Sequence, residues 1–310
     1  MTSKSPFYSV VIPFYNEAGN VTPLFEEVVN VMTSLQKPFE IIAVDDASKD
    51  GTFEELKSLK PLTIIRMRVN AGQSSALDAG IKRAKGTILI TMDGDGQDDP
   101  RNIPDMMELL ADGYDTVCAW RQGRKDSMFI RTISSGWKHI RNYLVDDGVH
   151  DAGTQFRVYK KDVFDDIDLY GELHRFIPAL LKWRGFKVTE MKVNHRARQH
   201  GTSKYTWTKV FKGFSDVIYM WFLHKYAHRP AHLFGSIGVI SMIIGALIVL
   251  AMAWMRIMYA YQLSNKIWPL VGFSFFVIGI QMLTTGVIAS NMLRMDSSKK
   301  YYIGEVIEQE

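Results

Sequence analysis

The sequence has little of what marks secreted or nucleic-acid-binding proteins. Its single cysteine, Cys118, excludes an intrachain disulfide and permits a reducing compartment. The 37 lysine and arginine residues only slightly outnumber the 33 aspartate and glutamate residues. The basic residues do not form the clustered face that is typical of nucleic-acid binding. Residues 1–7 contain no apolar run of signal-peptide length, so we expect the first domain not to be exported. No nucleic acid is expected as a partner.

Apolar runs long enough to cross a membrane occur only near the end of the sequence. Residues 233–255 and 269–293 each exceed 20 residues without a charged side chain. At about 1.5 Å per residue, a helix of that length spans a hydrocarbon core about 30 Å thick. The short connection between the runs predicts a hairpin of two transmembrane helices, and a lipid bilayer is therefore an expected partner.

Basic residues indicate the orientation of this hairpin. Five of them flank it: Lys225, Arg229, Arg294, Lys299 and Lys300. Its connecting loop has two, Arg256 and Lys266. Because basic residues concentrate on the cytoplasmic side of a membrane, we expect a multi-pass membrane protein whose N-terminal domain and tail are both cytoplasmic.

Upstream of the hairpin, residues 205–226 carry large apolar side chains at helical spacing, with lysines elsewhere on the helix. This composition is typical of a helix at a membrane interface, and a helix packed on the preceding domain is the alternative. We therefore divide the chain into four parts: an N-terminal domain (1–204), an amphipathic juxtamembrane helix (205–230), a transmembrane hairpin (231–294) and a tail (295–310).

Before residue 120, short apolar runs alternate with helical patterns. The runs occupy residues 8–12, 40–44, 62–65, 87–90 and 115–118, and a further short strand is expected near 156–159. This alternation predicts an α/β fold with a mostly parallel sheet, in which ligands bind at the carboxyl ends of the strands. Thr22 before Pro23 predicts the start of one helix, and Thr52 with Glu55 has the spacing of a capping box.

The strongest local signal is an acidic loop directly after residue 90. Asp93 and Asp95 are separated by a glycine, and Gln97 follows after another glycine. Their oxygens suit a hard divalent cation, Mn²⁺ or Mg²⁺, which bridges the oxygens of a diphosphate. Taken alone, the same residues also suit an ordinary acidic turn.

Two further strand ends carry polar side chains. Pro13, Tyr15 and Glu17 offer a fixed turn, an aromatic face and a carboxylate, which suit a base and a ribose. Asp45 and Asp46 can accept hydrogen bonds from a ribose hydroxyl or a base N–H. Each loop alone is an ordinary strand-to-helix connection, but three polar loops at one sheet edge favour a nucleotide site.

A basic segment over residues 124–143 is expected to be helical, with Arg131, Ser135 and Lys138 as candidates to bind an acceptor phosphate. Near a membrane, such residues suit the phosphate of a lipid head group, and a solvated basic helix face is the alternative. The other candidates for offsetting phosphate charge are Arg121, Arg198 and Lys204.

In order and spacing, several segments resemble the signature of glycosyltransferase family 2, whose members have the Rossmann-like GT-A fold. They are residues 12–17, 44–52, 70–73 with 79–81, and 93–97. The resemblance implies a GT-A catalytic domain that binds a UDP- or GDP-linked sugar, with Gln73, Asp93 and Arg121 joining the donor site. It also implies that Asp93, Asp95 and Gln97 bind the metal.

Residues 151–157 and 198–205, with the membrane helices, resemble the polyprenyl-phosphate branch of that family. This is the branch of dolichyl-phosphate mannose synthase and bacterial undecaprenyl-phosphate glycosyltransferases. The resemblance implies a nucleotide-sugar donor, an undecaprenyl or dolichyl phosphate acceptor, and the bacterial inner (plasma) membrane as the location. Where the branch commonly has Asp-Ala-Asp-Leu-Gln, this chain has Gly94 and Gly96, which we expect to keep the ligands and loosen the loop.

The acceptor decides what the catalytic residues must do. A lipid phosphate is already ionised near neutral pH, since its second pKa is about 6, and needs no dedicated base. We expect the catalytic residues to be Asp95, Asp151, Arg198 and Lys204. Asp151 would orient a substrate, although a role as base stays open. One acidic centre without a second nucleophile favours inversion at the anomeric carbon.

Three alternatives compete with this interpretation. A processive polysaccharide synthase usually has a Gln-x-x-Arg-Trp segment, which the sequence lacks. A membrane scaffold that has kept the fold is disfavoured by the intact Asp93, Asp95 and Gln97. A membrane-anchored family 2 transferase acting directly on a glycan or protein stays open, as does assembly into a homo-oligomer.

Overall fold

The structure, a computed structural model, describes residues 6–122, 144–145, 148–194, 196, 208–226, 229–259 and 267–295. The chain divides into two units, Met1–Val217 and Ile218–Glu310. The four-part division expected from the sequence stays a prediction, and the basic helix expected over residues 124–143 lies outside the described residues.

The strands of the first unit form one seven-stranded sheet in the order β3-β2-β1-β4-β6-β5-β7. Their bounds are β1 Tyr8–Phe14, β2 Phe39–Asp45, β3 Thr63–Arg66, β4 Ile88–Thr91, β5 Thr116–Gln122, β6 Arg157–Lys160 and β7 Val188–Asn194. Strand β6 runs antiparallel to β4 and β5, and the other neighbouring strands are parallel. The predicted mostly parallel α/β fold is therefore confirmed.

Helices connect the strands. They are α1 Val21–Ser34, α2 Thr52–Ser58, α3 Gln73–Arg83, α4 Ile103–Ala111 and α5 Ile177–Trp183, with short 3-10 helices at Pro100–Asn102, Lys161–Phe164 and Leu173–Phe176. Every residue of β1 is buried, and Val10 and Ile12 share one apolar core with Val28 and Met32 of α1. Fully burying such a side chain stabilises the fold by roughly 1.5–3 kcal/mol.

The predicted capping box at the start of α2 is wrong, and its glutamate stabilises another helix. Glu55 accepts hydrogen bonds from the N–H groups of Gly19 and Thr22 at 2.8 and 2.9 Å, at the start of α1. Burial alone would raise the pKa of Glu55, but these hydrogen bonds hold it below its ordinary value. Thr52 Oγ1 accepts from the N–H of Glu17 at 2.9 Å. The loops after β1 and β2 therefore support one another.

In the part of the chain that the structure describes, three helices follow the sheet: α6 Thr208–Tyr226, α7 Pro230–Tyr259 and α8 Trp268–Met295. Among the described residues, two stretches are long and apolar enough to cross a membrane, Pro230–Tyr259 and Trp268–Met292, which agrees with the predicted pair. Helices α7 and α8 pack through glycines, since a Cβ added at Gly238 would lie 2.7 Å from the carbonyl oxygen of Gly279. Ser241 Oγ donates to the carbonyl oxygen of Phe275 at 2.7 Å between the same helices.

Candidate active site

The candidate site lies where parallel strands end. Strands β1, β2 and β4 are parallel neighbours, so their carboxyl ends share one edge of the sheet. The loops after these strands begin near Tyr15, Asp46 and Asp93, and the end of β5 adds Arg121. Tyr15 is 42% exposed at this edge, which leaves its ring accessible.

Hydrogen bonds hold the acidic loop after β4 in a defined shape. Asp98 Oδ2 accepts from the N–H of Asp93 at 3.4 Å, and Asp95 Oδ1 accepts from the N–H of Gln97 at 3.1 Å. Gln73, the first residue of α3, donates from Nε2 to Asp93 Oδ1 at 2.5 Å. The structure thus brings together Gln73 and Asp93, two residues that the sequence assigned to the donor site.

Gly94 packs tightly, contrary to the expectation that it loosens the acidic loop. A Cβ added there would lie 2.5 Å from Cδ1 of Phe14 and 2.8 Å from the carbonyl oxygen of Pro13. Gly96 differs, because its φ is +70° and an added Cβ would meet no atom of the described residues within 4 Å. Gly94 therefore allows close approach of the acidic loop to the end of β1, whereas Gly96 supplies a left-handed backbone.

Burial and neighbouring carboxylates both disfavour ionisation in the acidic loop. Burial raises the pKa of Asp93, and the nearby charges of Asp98 and Asp95 raise it further. Burial also raises the pKa of Asp98, and the charge of Asp95 adds to that shift. The guanidinium of Arg121 opposes both shifts. A bound cation would favour the ionised carboxylates in the same way.

Arg121 makes its principal ion pair with Asp151, which the sequence treated as a separate site residue. Arg121 Nε donates to Oδ2 of Asp151 at 2.7 Å, and Nη2 donates to Oδ1 at 3.0 Å. The two side chains are only 15% and 9% exposed. The N–H of Gly153 also donates to Oδ1 at 3.1 Å. This two-pronged geometry fixes the orientation of the Asp151 carboxylate.

The two aspartates at the end of β2 have different partners. Asp45 is fully buried, and its Oδ1 accepts from the N–H of Ser48 at 3.1 Å while Oδ2 lies 3.4 Å from Nε of Arg66. Oδ2 of Asp45 makes no hydrogen bond within the described structure. Arg66 also lies over the Phe53 ring, 3.8 Å from its centroid.

Asp46 supports the loop that leads into α3. Its carboxylate accepts from the N–H groups of Ala71 and Gly72 at 2.8 and 2.9 Å, and from Nδ2 of Asn70 at 3.0 Å. These contacts position the residue that follows the loop, Gln73. The sequence expected Asp46 to bind the nucleotide, which stays a prediction, and did not anticipate this supporting role.

Sequence reasoning missed Arg196, which joins the acidic loop to a neighbouring segment. Its N–H donates to the carbonyl oxygen of Gln97 at 3.0 Å, and Nε2 of Gln97 donates to the carbonyl oxygen of Arg196 at 3.3 Å. The Arg196 guanidinium lies 2.6 Å from Glu27 and 2.7 Å from Asp99. Hydrogen bonds from Arg101 and then Arg196 lower the pKa of Asp99 to about 2.

The last of the predicted site residues are Glu17 and five residues of the acceptor and catalytic sets. Glu17 Oε2 accepts from Nδ2 of Asn20 at 2.8 Å, beside the start of α1. The remaining predicted residues lie outside the described residues: Arg131, Ser135, Lys138, Arg198 and Lys204.

The acidic loop supplies only part of the coordination shell of a divalent cation. In the part of the chain that the structure describes, no group of three or more His, Cys, Asp and Glu side chains is arranged to hold a metal ion. Asp93, Asp95 and the amide oxygen of Gln97 are nevertheless hard oxygen donors, and Asp98 adds a further negative charge near Asp93. A cation here would complete its coordination with diphosphate or water oxygens.

Comparison with known proteins places the chain in a family. The family model described as glycosyl transferase family 2 matches residues 9–168. The dodecaprenyl-phosphate galacturonate synthase of Rhizobium johnstonii is 35% identical, over 97% of this chain and 93% of that protein. The undecaprenyl-phosphate 4-deoxy-4-formamido-L-arabinose transferase of Aeromonas hydrophila is 30% identical, over 96% and 93%.

Solved structures share the fold. The glucosyl-3-phosphoglycerate synthase of Mycobacterium tuberculosis, crystallised with Mn²⁺, UDP and phosphoglyceric acid, has a TM-score of 0.55 at 15% identity, over 71% of this chain and 78% of that one. A crystal of the same enzyme contains Mg²⁺ and UDP. At this identity the likeness shows the GT-A fold alone. Family match, relatives and fold together show that the chain is a glycosyltransferase of glycosyl transferase family 2, in its polyprenyl-phosphate branch.

Proposed function

We propose that the protein transfers a sugar from a UDP- or GDP-linked donor to the phosphate of undecaprenyl or dolichyl phosphate, with Mn²⁺ or Mg²⁺ and with inversion of configuration. The observation that carries the proposal is the grouping of the acidic loop, Gln73 and the Arg121–Asp151 pair at one sheet edge. Relatives that align over nearly the whole chain are named for transfer involving polyprenyl phosphates, which supports the acceptor.

On the donor side, Asp95 with Asp93 and Gln97 would hold the cation. When bound, the ion supplies positive charge to the departing diphosphate. Pro13, Tyr15, Glu17, Asp45 and Asp46 would surround the base and ribose, and Asp45 offers a buried oxygen that makes no hydrogen bond within the described structure. A ribose hydroxyl or base N–H could donate to such an atom.

On the acceptor side, the attacking phosphate oxygen is already ionised, so its proton need not be removed. Both oxygens of Asp151 accept hydrogen bonds from Arg121, and this use of its lone pairs favours an orienting role over that of a base. Arg131, Ser135 and Lys138 would bind the acceptor phosphate, and Arg198 and Lys204 would offset its repulsion from the donor.

Direct attack opposite the departing nucleotide inverts the anomeric configuration. The anomer of the product, determined by NMR, tests this step, and retention would contradict it. The apolar pair α7 and α8 supports a membrane location, and the excess of flanking basic residues supports a cytoplasmic catalytic domain at the bacterial inner membrane.

One incubation tests the proposed reaction. The full chain in detergent would be mixed with undecaprenyl phosphate, Mn²⁺ or Mg²⁺, and a panel of radiolabelled UDP- and GDP-sugars. We expect chloroform-soluble label that depends on the lipid and is lost with a metal chelator. Asp95→Asn should abolish the label, whereas Asp112→Asn, which changes an exposed carboxylate at the end of α4, should not.

The alternative is a membrane-anchored transferase that acts directly on a glycan or protein. Label that appears in polymer or protein instead of lipid would support this alternative. No turnover with any donor would overturn both proposals.

A further inference from the structure

Glu190, on the edge strand β7, contacts the peptide group that leads into Asp151. Its Oε1 accepts from the N–H of His150 at 2.6 Å and from the N–H of Asp151 at 3.3 Å. Its Oε2 lies 2.6 Å from Nδ1 of His150. The Glu190 side chain is only 10% exposed, so these contacts are partly shielded from water.

Trp120 supports this arrangement from the neighbouring strand β5. The His150 ring stacks on Trp120 with 4.2 Å between centroids and 11° between planes. In the β5–β7 register Cys118 pairs with Glu190 and Trp120 with Lys192, so Trp120 and Glu190 lie on one face of the sheet. We call Glu190, His150 and Trp120 the Glu190 clamp.

The Glu190 clamp and Arg121 hold the same residue from opposite ends. Glu190 accepts from the backbone N–H of Asp151, and Arg121 binds its carboxylate through two hydrogen bonds, one to each oxygen. Two-pronged pairing tolerates little rotation of either partner. A change in the backbone at Asp151 therefore alters how its carboxylate meets Arg121.

The loop that carries Asp151 is also held by a hydrogen bond that does not involve Glu190. Nη2 of the fully buried Arg157 donates to the carbonyl oxygen of Ala152 at 3.0 Å. Loss of the Glu190 clamp would therefore leave the loop attached to the sheet while freeing the peptide between His150 and Asp151 to rotate. This separates an effect on the site from an effect on folding.

We propose that Glu190 is a positioning residue for the transfer reaction, which acts by fixing the backbone of Asp151. Nothing in the sequence patterns assigns it a role. The inference rests on the proposed role of Asp151 in orienting a substrate.

The test compares Glu190→Leu, Glu190→Gln, Asp151→Asn and the double variant Glu190→Leu/Asp151→Asn in the full-length protein. Misplacing a positioned group by up to about 1 Å can lower the rate by about 10–100-fold. We expect Glu190→Leu to lower kcat in that range with donor KM within about twofold of wild type. Glu190→Gln, which keeps one carbonyl oxygen, should lose less. Glu54→Gln, at an exposed glutamate of α2, is the matched control and should retain wild-type kcat.

The double variant shows whether Glu190 acts through Asp151. We expect it to be no slower than Asp151→Asn alone, because the positioned group is already gone. Multiplied losses, or normal kcat in Glu190→Leu when Asp151→Asn is impaired, would overturn the inference and leave the proposed function standing. Wild-type activity of Asp151→Asn would instead show that Asp151 does not orient a substrate, which would overturn the inference about Glu190 but not the proposed transfer reaction. If Glu190→Leu fails to fold, Glu190→Gln and His150→Ala test the inference in its place. Unchanged kcat in both of these variants would overturn it.

Discussion

Nη1 of Arg157 donates to the carbonyl oxygen of His174 at 2.9 Å. Both residues are buried in the sheet-bearing unit, Met1–Val217. Nη2 of the same guanidinium donates to the carbonyl oxygen of Ala152 at 3.0 Å. Ala152 follows Asp151, and the ring of His174 lies 2.7 Å from Oγ of Ser74, beside Gln73. Arg157 thus joins the segment that carries Asp151 to the segment that contacts Ser74, the residue after Gln73.

Arg157→Lys should destabilise the protein even though it keeps the charge. One ammonium group cannot reach both carbonyl oxygens as the planar guanidinium does. A buried acceptor left without its partner costs about 1–3 kcal/mol. For a domain of about 200 residues, a loss of about 2 kcal/mol lowers the Tm by about 4–8 °C.

Thermal unfolding in detergent measures this effect. Lys57→Met, at a side chain that is half exposed, is the control and should change stability by no more than about 0.5 kcal/mol. A Tm of Arg157→Lys equal to that of wild type would contradict the bridging role of Arg157.

The two glycines of the acidic loop should respond differently to alanine. Gly94→Ala places a Cβ against the Phe14 ring and the backbone of Pro13, so the loop must move. Since a misplacement of about 1 Å can cost about 100-fold in rate, we expect kcat to fall at least about tenfold. Gly96→Ala meets no neighbouring atom of the described residues and should cost only about 1–2 kcal/mol of backbone strain.

Steady-state kinetics at saturating metal, with thermal unfolding on the same samples, separates the two effects. Gly94→Ala should lower kcat more than Gly96→Ala does. The main effect of Gly96→Ala should be a lower Tm. Equal kcat for Gly94→Ala and wild type would show that the close approach to β1 is unimportant.

The sequence predicted the strands that form the sheet centre because their apolar runs are continuous, as in β1, where every residue is buried. It did not predict β7, an edge strand in which only Val193 is fully buried, so its apolar pattern is weak. It placed polar residues at the correct strand ends because parallel strands end at one sheet edge.

The partners of these polar residues were harder to predict. Glu55 caps a helix more than 30 residues earlier, Asp46 binds the loop before α3, and Arg196 binds Gln97, 99 residues away. Local spacing predicts the residue types that a loop offers, but only the folded backbone decides which distant groups meet. The capping-box prediction for Glu55 was wrong for this reason.

The hairpin formed by α7 and α8 depends on particular glycines. A Cβ at Gly279 would lie 2.6 Å from the carbonyl oxygen of Gly238 and 2.3 Å from Cγ of Met242. Among the described residues, a Cβ at Gly235 would meet only Leu283, at 3.9 Å. Gly279→Ala should therefore separate the helices and cost about 1–3 kcal/mol. Gly235→Ala should be neutral or stabilise the helix by up to about 1 kcal/mol.

Thermal unfolding of both variants in the same detergent checks this pair. Matched substitutions in two glycines of one hairpin control for detergent and for helix propensity. If both variants unfold at the same temperature, close packing at Gly279 does not stabilise the hairpin.

His174 should make the sheet-bearing unit sensitive to acid. Burial, aided by the charges of Arg175 and Arg157, lowers the pKa of His174 from 6.5 to about 3. Between these values the unfolded chain binds a proton that the folded chain does not, so the free energy of unfolding falls as pH drops below 6.5. At pH 5 the loss reaches about 2 kcal/mol, at about 1.36 kcal/mol per pH unit.

His174→Gln removes this titration and should show a smaller fall in Tm between pH 7 and pH 5 than wild type, by about 4–8 °C. Ser74→Ala is the informative control. It deletes the hydroxyl that contacts His174 Nδ1 but keeps the imidazole, so it should lower the Tm at both pH values and keep the dependence on acid. Equal falls in Tm for wild type and His174→Gln would show that protonation of His174 does not limit acid stability.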